Sequence, residues 1–97
     1  MKIIWTQNAD TDLENLVEYI SEDSNIYAQA FALEILDAVQ RLKDFPKSGR
    51  VVPEYQQENT REIIVGHYRV VYETAGSTVR VLTIIHGARI LRLRHEL

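Results

Sequence analysis

The run Arg61-Glu62-Ile63-Ile64-Val65-Gly66-His67-Tyr68-Arg69-Val70-Val71-Tyr72-Glu73 decides how this chain is read. Two stretches rich in Ile, Val and Tyr flank a Gly-His pair, the pattern of two strands joined by a tight turn. Downstream, Ala75-Gly76-Ser77 turns the chain again before Thr78-Val79-Arg80-Val81-Leu82-Thr83-Ile84-Ile85-His86, the longest apolar run. Arg80 interrupts that run, and alternation sets it on the face opposite Val79, Val81 and Thr83. The pattern predicts a meander of three antiparallel strands over 61–65, 68–73 and 78–86.

Upstream, the pattern changes period. Phe45-Pro46-Lys47-Ser48-Gly49-Arg50 is a stop signal, and a loop with Pro53 and the polar run Gln56-Gln57-Glu58-Asn59-Thr60 follows it. Before the stop, Tyr27, Phe31, Ile35, Val39 and Leu42 recur at helical spacing, with Ala28, Ala32 and Ala38 beside them. This predicts an amphipathic helix ending near Asp44. Glu22-Asp23-Ser24-Asn25 is a polar break with capping residues. Ala9, Leu13, Leu16, Val17 and Ile20 form an earlier stripe, predicting a first helix from about Ala9 to Ser21. Thr6 or Asn8 caps it, and Asp10 and Asp12 fall in its first turn, where the helix dipole favours negative charge. Ile3-Ile4-Trp5 reads as a strand free to join a sheet edge. The chain is therefore expected to be a single α+β domain over 1–97. Its two layers are an N-terminal strand and an α-helical hairpin packed on a small antiparallel sheet.

The composition agrees. The chain has 97 residues, 45% apolar and 26% charged, and no cysteine. That excludes a disulfide scaffold and a thiolate metal site, and no apolar run is long enough to span a membrane. A cytoplasmic setting without membrane contact is expected. The net charge of −3 divides unevenly, −7 over residues 1–40 and +4 over residues 41–97. Two faces with different partners are expected from that division.

Few residue constellations carry chemistry. His67, His86 and His95 are scattered, with no ligand spacing among them, so neither metal nor cofactor is expected. The four glycines are isolated and make no phosphate loop. The acidic residues of the first helix fall on a solvated face. The arginines are more telling. Arg50 follows the loop after the second helix, Arg61 opens a strand, Arg69 lies on the next, and Arg89 follows the last. Strand adjacency is expected to bring Arg61, Arg69 and Arg89 to one face or one end of the sheet, where a rigid fork of donors suits phosphate or carboxylate. Tyr68 or Tyr72 beside such a patch can stack a base.

Three segments together bear a resemblance. They are Arg41-Leu42-Lys43-Asp44-Phe45-Pro46-Lys47-Ser48-Gly49-Arg50, the hairpin quoted above, and Val81-Leu82-Thr83-Ile84-Ile85-His86-Gly87-Ala88-Arg89. With Trp5, Asp12-Leu13 and Tyr19-Ile20 ahead of them, they resemble the RelE/ParE superfamily of toxins from type II toxin–antitoxin modules. The resemblance implies a helix hairpin on a small antiparallel sheet and a cognate antitoxin of ParD or RelB type. It implies one of two targets. ParE-like members inhibit DNA gyrase; RelE-like members cleave messenger RNA on the ribosome with basic residues and a tail tyrosine or histidine. In the nuclease branch the carried-over groups are Arg61, Arg69, Arg89, His86 and His95. The tail tyrosine has no counterpart here, and the stretch before the central strands reads Glu54-Tyr55-Gln56-Gln57-Glu58, where that branch has lysines. The His86-Gly87-Ala88-Arg89 ending resembles the ParE branch. A gyrase inhibitor is expected, with Arg50, Arg61, Tyr68, Arg69, His86 and Arg89 meeting target or antitoxin. The alternatives are a messenger nuclease and an inactive toxin-like binding module.

Overall fold

A computed structural model describes residues 1–93. The chain opens with β1 (Lys2–Trp5), then a helical pair, α1 (Gln7–Ser21) and α2 (Asn25–Arg41). Four more strands follow: β2 (Arg50–Val51), β3 (Thr60–Val65), β4 (Tyr68–Ala75) and β5 (Thr78–His86). The sheet runs in the order β1-β5-β4-β3-β2. The meander is as expected, with Val65 opposite Tyr68 and Ala75 opposite Thr78. Each hairpin has a two-residue turn opened by a glycine at φ +59°, Gly66 and Gly76. Glycine at the first central position with φ > 0 is the II′ pattern, whose twist suits paired strands.

Two features depart from an all-antiparallel sheet with an open loop. β1 pairs with β5 in parallel, Lys2 opposite Thr78 and Trp5 opposite Val81, so the sheet is mixed. Leaving and rejoining the sheet through a helical pair lets the first strand run parallel, which a tight turn forbids. The stretch after the proline stop, expected as loop, contributes β2, pairing Arg50 with Glu62 and Val51 with Arg61. Opposite β4, Leu82 is an extra residue: Val71 faces Thr83 while Tyr72 faces Val81. Such a bulge bends the strand locally.

Thr6, not Asn8, caps α1: its hydroxyl accepts from Ala9 N–H at 3.1 Å and donates to the Val81 carbonyl at 2.8 Å. Ser24 caps α2 in the same way. The helical layer buries Ala9, Phe31, Ile35, Ala38 and Val39 against Val65, Val70, Val81 and Ile84. Tyr27, expected in the stripe, is exposed, and Ala28 takes the inward position. Repeating i+4 drifts about 40° per step around a helix, so the far end of a long stripe rotates off the core. Asp12 departs from the solvated acidic face. Its Oδ2 accepts from the Thr83 hydroxyl at 2.5 Å and the Ile84 N–H at 3.0 Å, tying α1 to β5.

The opposite sheet face is covered as well. After β5 the chain turns back, and Leu91 packs with Val52 and Val71, flanked by Tyr55, Leu82, Ile85 and Leu93. Among the described residues no helix is long and apolar enough to cross a membrane.

Candidate functional site

The tail that covers the back of the sheet is held by a buried ion network. Arg69 is 4% exposed, although strand position alone would let it reach solvent. Its Nε donates to Glu62 Oε1 at 2.7 Å, and its two Nη groups donate to the two Glu54 oxygens at 2.7 and 2.8 Å. Nη1 also donates to the Arg89 carbonyl at 2.9 Å. Glu62, 1% exposed, accepts at its other oxygen from Arg50 Nε at 2.6 Å. Glu54 then accepts from the Leu91 N–H at 2.9 Å, and the Tyr55 hydroxyl accepts from the Leu93 N–H at 2.6 Å. The hydrogen bonds from Arg69 hold the Glu54 carboxyl down to about 2, helped by the Leu91 N–H. The same carboxylates push Arg69 further up than its ordinary value. Buried charges persist only when paired and hydrogen-bonded, and these are.

The six arginine, tyrosine and histidine positions expected to meet target or antitoxin therefore divide. Arg50 and Arg69 meet over Glu62, and Arg69 reaches the Arg89 main chain. The fork of Arg69 is occupied by carboxylates of the same chain, which corrects its reading as an open phosphate-binding group. Arg61 turns to the other side, donating to the Gly49 carbonyl at 2.9 Å and to Glu58 at 2.6 Å. Tyr68 packs edge-on against Phe31, ring centres 5.3 Å apart, so it is a core-edge aromatic. His86 lies 5.6 Å from Tyr68 and stacks with His67 at 6.4 Å. Its Nδ1 accepts from Ala88 N–H at 3.1 Å, which shapes the turn out of β5. His95 lies outside the described residues.

Between the returning tail, β5 and the 55–57 loop lies a groove of about 1020 Å3. Arg80, Arg89 and Arg92 line it together with Leu82, Ile85 and Ile90. Arg80 pairs with Glu73. Arg89 and Arg92 are exposed and make no ion pair among the described residues. Neither His67 nor His86 lines it. An anion-seeking rim around an apolar floor is suited to binding an acidic, partly apolar surface. The sequence reading named Arg89 but missed Arg80 and Arg92. The alternation that set Arg80 apart from Val79 and Val81 carried that signal; Arg92 lies in no periodic element and had none. Among the described residues no three metal-ligating side chains stand together.

The sequence pattern described as "ParE toxin of type II toxin-antitoxin system, parDE" matches residues 3–91, from β1 through the tail residue that closes the back core. The chain belongs to the ParE toxin family. It is a toxin of a type II toxin–antitoxin module. It is 30% identical over 89 residues to the Toxin RelE2 of Caulobacter vibrioides, covering 92% of this chain and 98% of that one. Its fold is similar to that in the chromosomal ParDE toxin–antitoxin system of P. aeruginosa, with a TM-score of 0.73 at 19% identity, covering 89% of this chain and 95% of that chain. It also resembles the toxin–antitoxin complex RelBE2 of Mycobacterium tuberculosis, with a TM-score of 0.54 at 22% identity over 88% and 95% of the two chains. The ParE-family chain thus keeps the helix pair and five-stranded mixed sheet, as the sequence reading expected apart from β2 and the parallel β1 pairing.

Proposed function

We propose that this toxin acts by binding rather than by bond cleavage, as a ParE-like inhibitor of DNA gyrase in the cytoplasm. The observation that carries this is the state of Arg69. A nuclease of the RelE kind needs a charge donor free to meet the scissile phosphate. Here the strand arginine gives its donors to Glu54, Glu62 and the Arg89 carbonyl. Arg89 and Arg92 face solvent beside the groove with no ion pair among the described residues, and they are the proposed contacts to the target. The similarity to ParDE and RelBE2 supports a cognate antitoxin as the silencing partner.

The similarity to a toxin named RelE2 keeps ribosome-dependent messenger cleavage as the second reading. Two assays on the purified protein separate them: supercoiling by gyrase, and cleavage of messenger on programmed ribosomes. The expected result is loss of supercoiling without messenger cleavage. Arg89→Glu with Arg92→Glu is expected to relieve inhibition about tenfold or more, as for dominant interface anchors, with an unchanged melting temperature. Messenger cleavage by the purified protein would overturn the gyrase reading.

A further inference from the structure

The returning tail is held along one side only. In a planar trans peptide the carbonyl and the N–H point opposite ways. Among the described residues no peptide bond is cis. The Arg89 carbonyl turns to Arg69, so the Ile90 N–H, in the same peptide, turns away. The Leu91 N–H turns to Glu54 and the Leu93 N–H to Tyr55, so the Ile90 and Arg92 carbonyls turn away as well. One donor and two acceptors thus face off the side that the 54–55 loop does not hold. None of the three has a partner among the described residues.

The side chains alternate with the same period of two, as in a strand. Leu91 is buried and Leu93 half-buried, while Ile90 is 69% exposed and Arg92 is exposed. Residues 90–93 are therefore laid out as an edge strand, yet they belong to no strand of the sheet. Unpaired edges of this kind take up another extended chain. The groove beside the tail selects what that chain carries. Leu82 and Ile85 of β5 line it, both half-buried. Arg80, Arg89 and Arg92 line it against one acid, Glu73, so it is net positive.

We infer that the open side of the tail binds an extended segment of the target as an added strand, its acidic side chains beside Arg89 and Arg92 alternating with apolar ones over Leu82 and Ile85. The inference rests on the gyrase reading above and gives that contact its chemistry. Successive side chains of an added strand point to opposite faces, and those on one face meet cross-strand neighbours. DNA fits less well. Its phosphates answer the arginines, but its backbone has no donor for the Ile90 and Arg92 carbonyls, and Leu82 and Ile85 are apolar. A second copy of this tail would set Arg89 and Arg92 against like charges.

The probe is a synthetic peptide of about eight residues, an ordinary strand length, capped at both ends and alternating Glu with Val. A second peptide has the same sequence with its main-chain nitrogens methylated, which keeps the charge and removes the donors. A third has Lys in place of Glu. Each is titrated into the full-length toxin with amide shifts read by NMR, and added to toxin-inhibited gyrase in a supercoiling assay. The Glu–Val peptide is expected to shift the Ile90 and Arg92 amides and to restore supercoiling. The methylated and Lys forms are expected to bind about tenfold more weakly or worse, through lost hydrogen bonds and like charge. Ile90→Pro removes the Ile90 N–H without breaking a bond of the free toxin, and is expected to weaken peptide binding and inhibition about fivefold. If that variant unfolds, the methylated peptide still decides. Equal binding of the methylated form, an unshifted Ile90, or inhibition that saturating peptide leaves in place would overturn the inference while the gyrase reading stands. A toxin that does not inhibit supercoiling would remove both. A short DNA duplex that shifts Ile90 and Arg92 where the peptide does not would assign the groove to nucleic acid instead. A toxin dimer that Ile90→Pro dissociates would assign it to a second copy, and a peptide that displaces the antitoxin but leaves inhibition unchanged would assign it to the antitoxin.

Discussion

Arg69 and Glu54 show how one pair of side chains sets both stability and what the surface offers. The Glu54 carboxyl sits at about 2 in the folded chain against an ordinary 4.5, because Arg69 donates to both its oxygens. Between those values the unfolded chain binds more protons than the folded one, so stability rises with pH across the window. The contribution is present in full above about pH 5 and is lost as pH falls toward 2. Urea midpoints measured from pH 7 to pH 2 are expected to fall over that interval, and Glu54→Gln to flatten the fall. Arg69→Ala leaves the Glu62 carboxylate, 1% exposed, with Arg50 as its one cationic partner. Removing one member of a buried pair costs about 3–5 kcal/mol, so the variant is expected to be much less stable by denaturant titration. An Arg69→Ala protein of unchanged stability would mean that the network is not held as described.

At the scale of elements, the helical pair is attached to the sheet by two different means. Phe31 and Ile35 bury apolar surface, and Phe31→Ala is expected to cost about 3–5 kcal/mol through lost transfer energy and the cavity left behind. Asp12 makes a polar attachment. Asp12→Ala strands the Thr83 hydroxyl and the Ile84 N–H at the α1–β5 contact, a loss of about 1–3 kcal/mol. Glu14→Ala and Glu18→Ala, on the exposed side of the same helix, are expected to change stability by less than about 0.5 kcal/mol. Thermal melts of the four variants check the ranking; a Glu14 variant as damaged as the Asp12 variant would place the wrong acid at the sheet.

For the molecule as a whole, the returning tail is what gives the sheet two covered faces. Helices cover one, and Leu91 closes a second small core over Val52 and Val71 on the other. Leu91→Ala is expected to cost about 2–5 kcal/mol and to raise binding of a hydrophobic dye, because the back core is thin. The tail also carries Arg89 and Arg92 to the groove rim, so the same variant is expected to weaken target inhibition more than its stability loss explains. Supercoiling assays at a temperature where the variant remains folded test this. Inhibition at full strength from a folded Leu91→Ala protein would separate the groove from the activity.

The sequence by itself determined the elements whose signals are local. The Gly66 and Gly76 turns, the alternation along 78–86, the Ser24 cap and the stripe of Phe31, Ile35 and Val39 each lie within one stretch of chain. Helix pairing and the meander follow from them, because each apolar face has one nearby layer to meet. The resemblance of three segments to known toxins added the module to which the chain belongs. Tertiary structure alone decided the rest. β2 is two residues long, too short for any period. Arg69 takes partners 7, 15 and 20 residues away, and no local pattern marks Glu54 or the Arg89 carbonyl as those partners. An exposed and a buried arginine look alike in sequence, since the difference lies in which carboxylates the folded backbone brings within 3 Å. For the same reason Arg80, Arg89 and Arg92 became neighbours only when the tail folded back across the sheet.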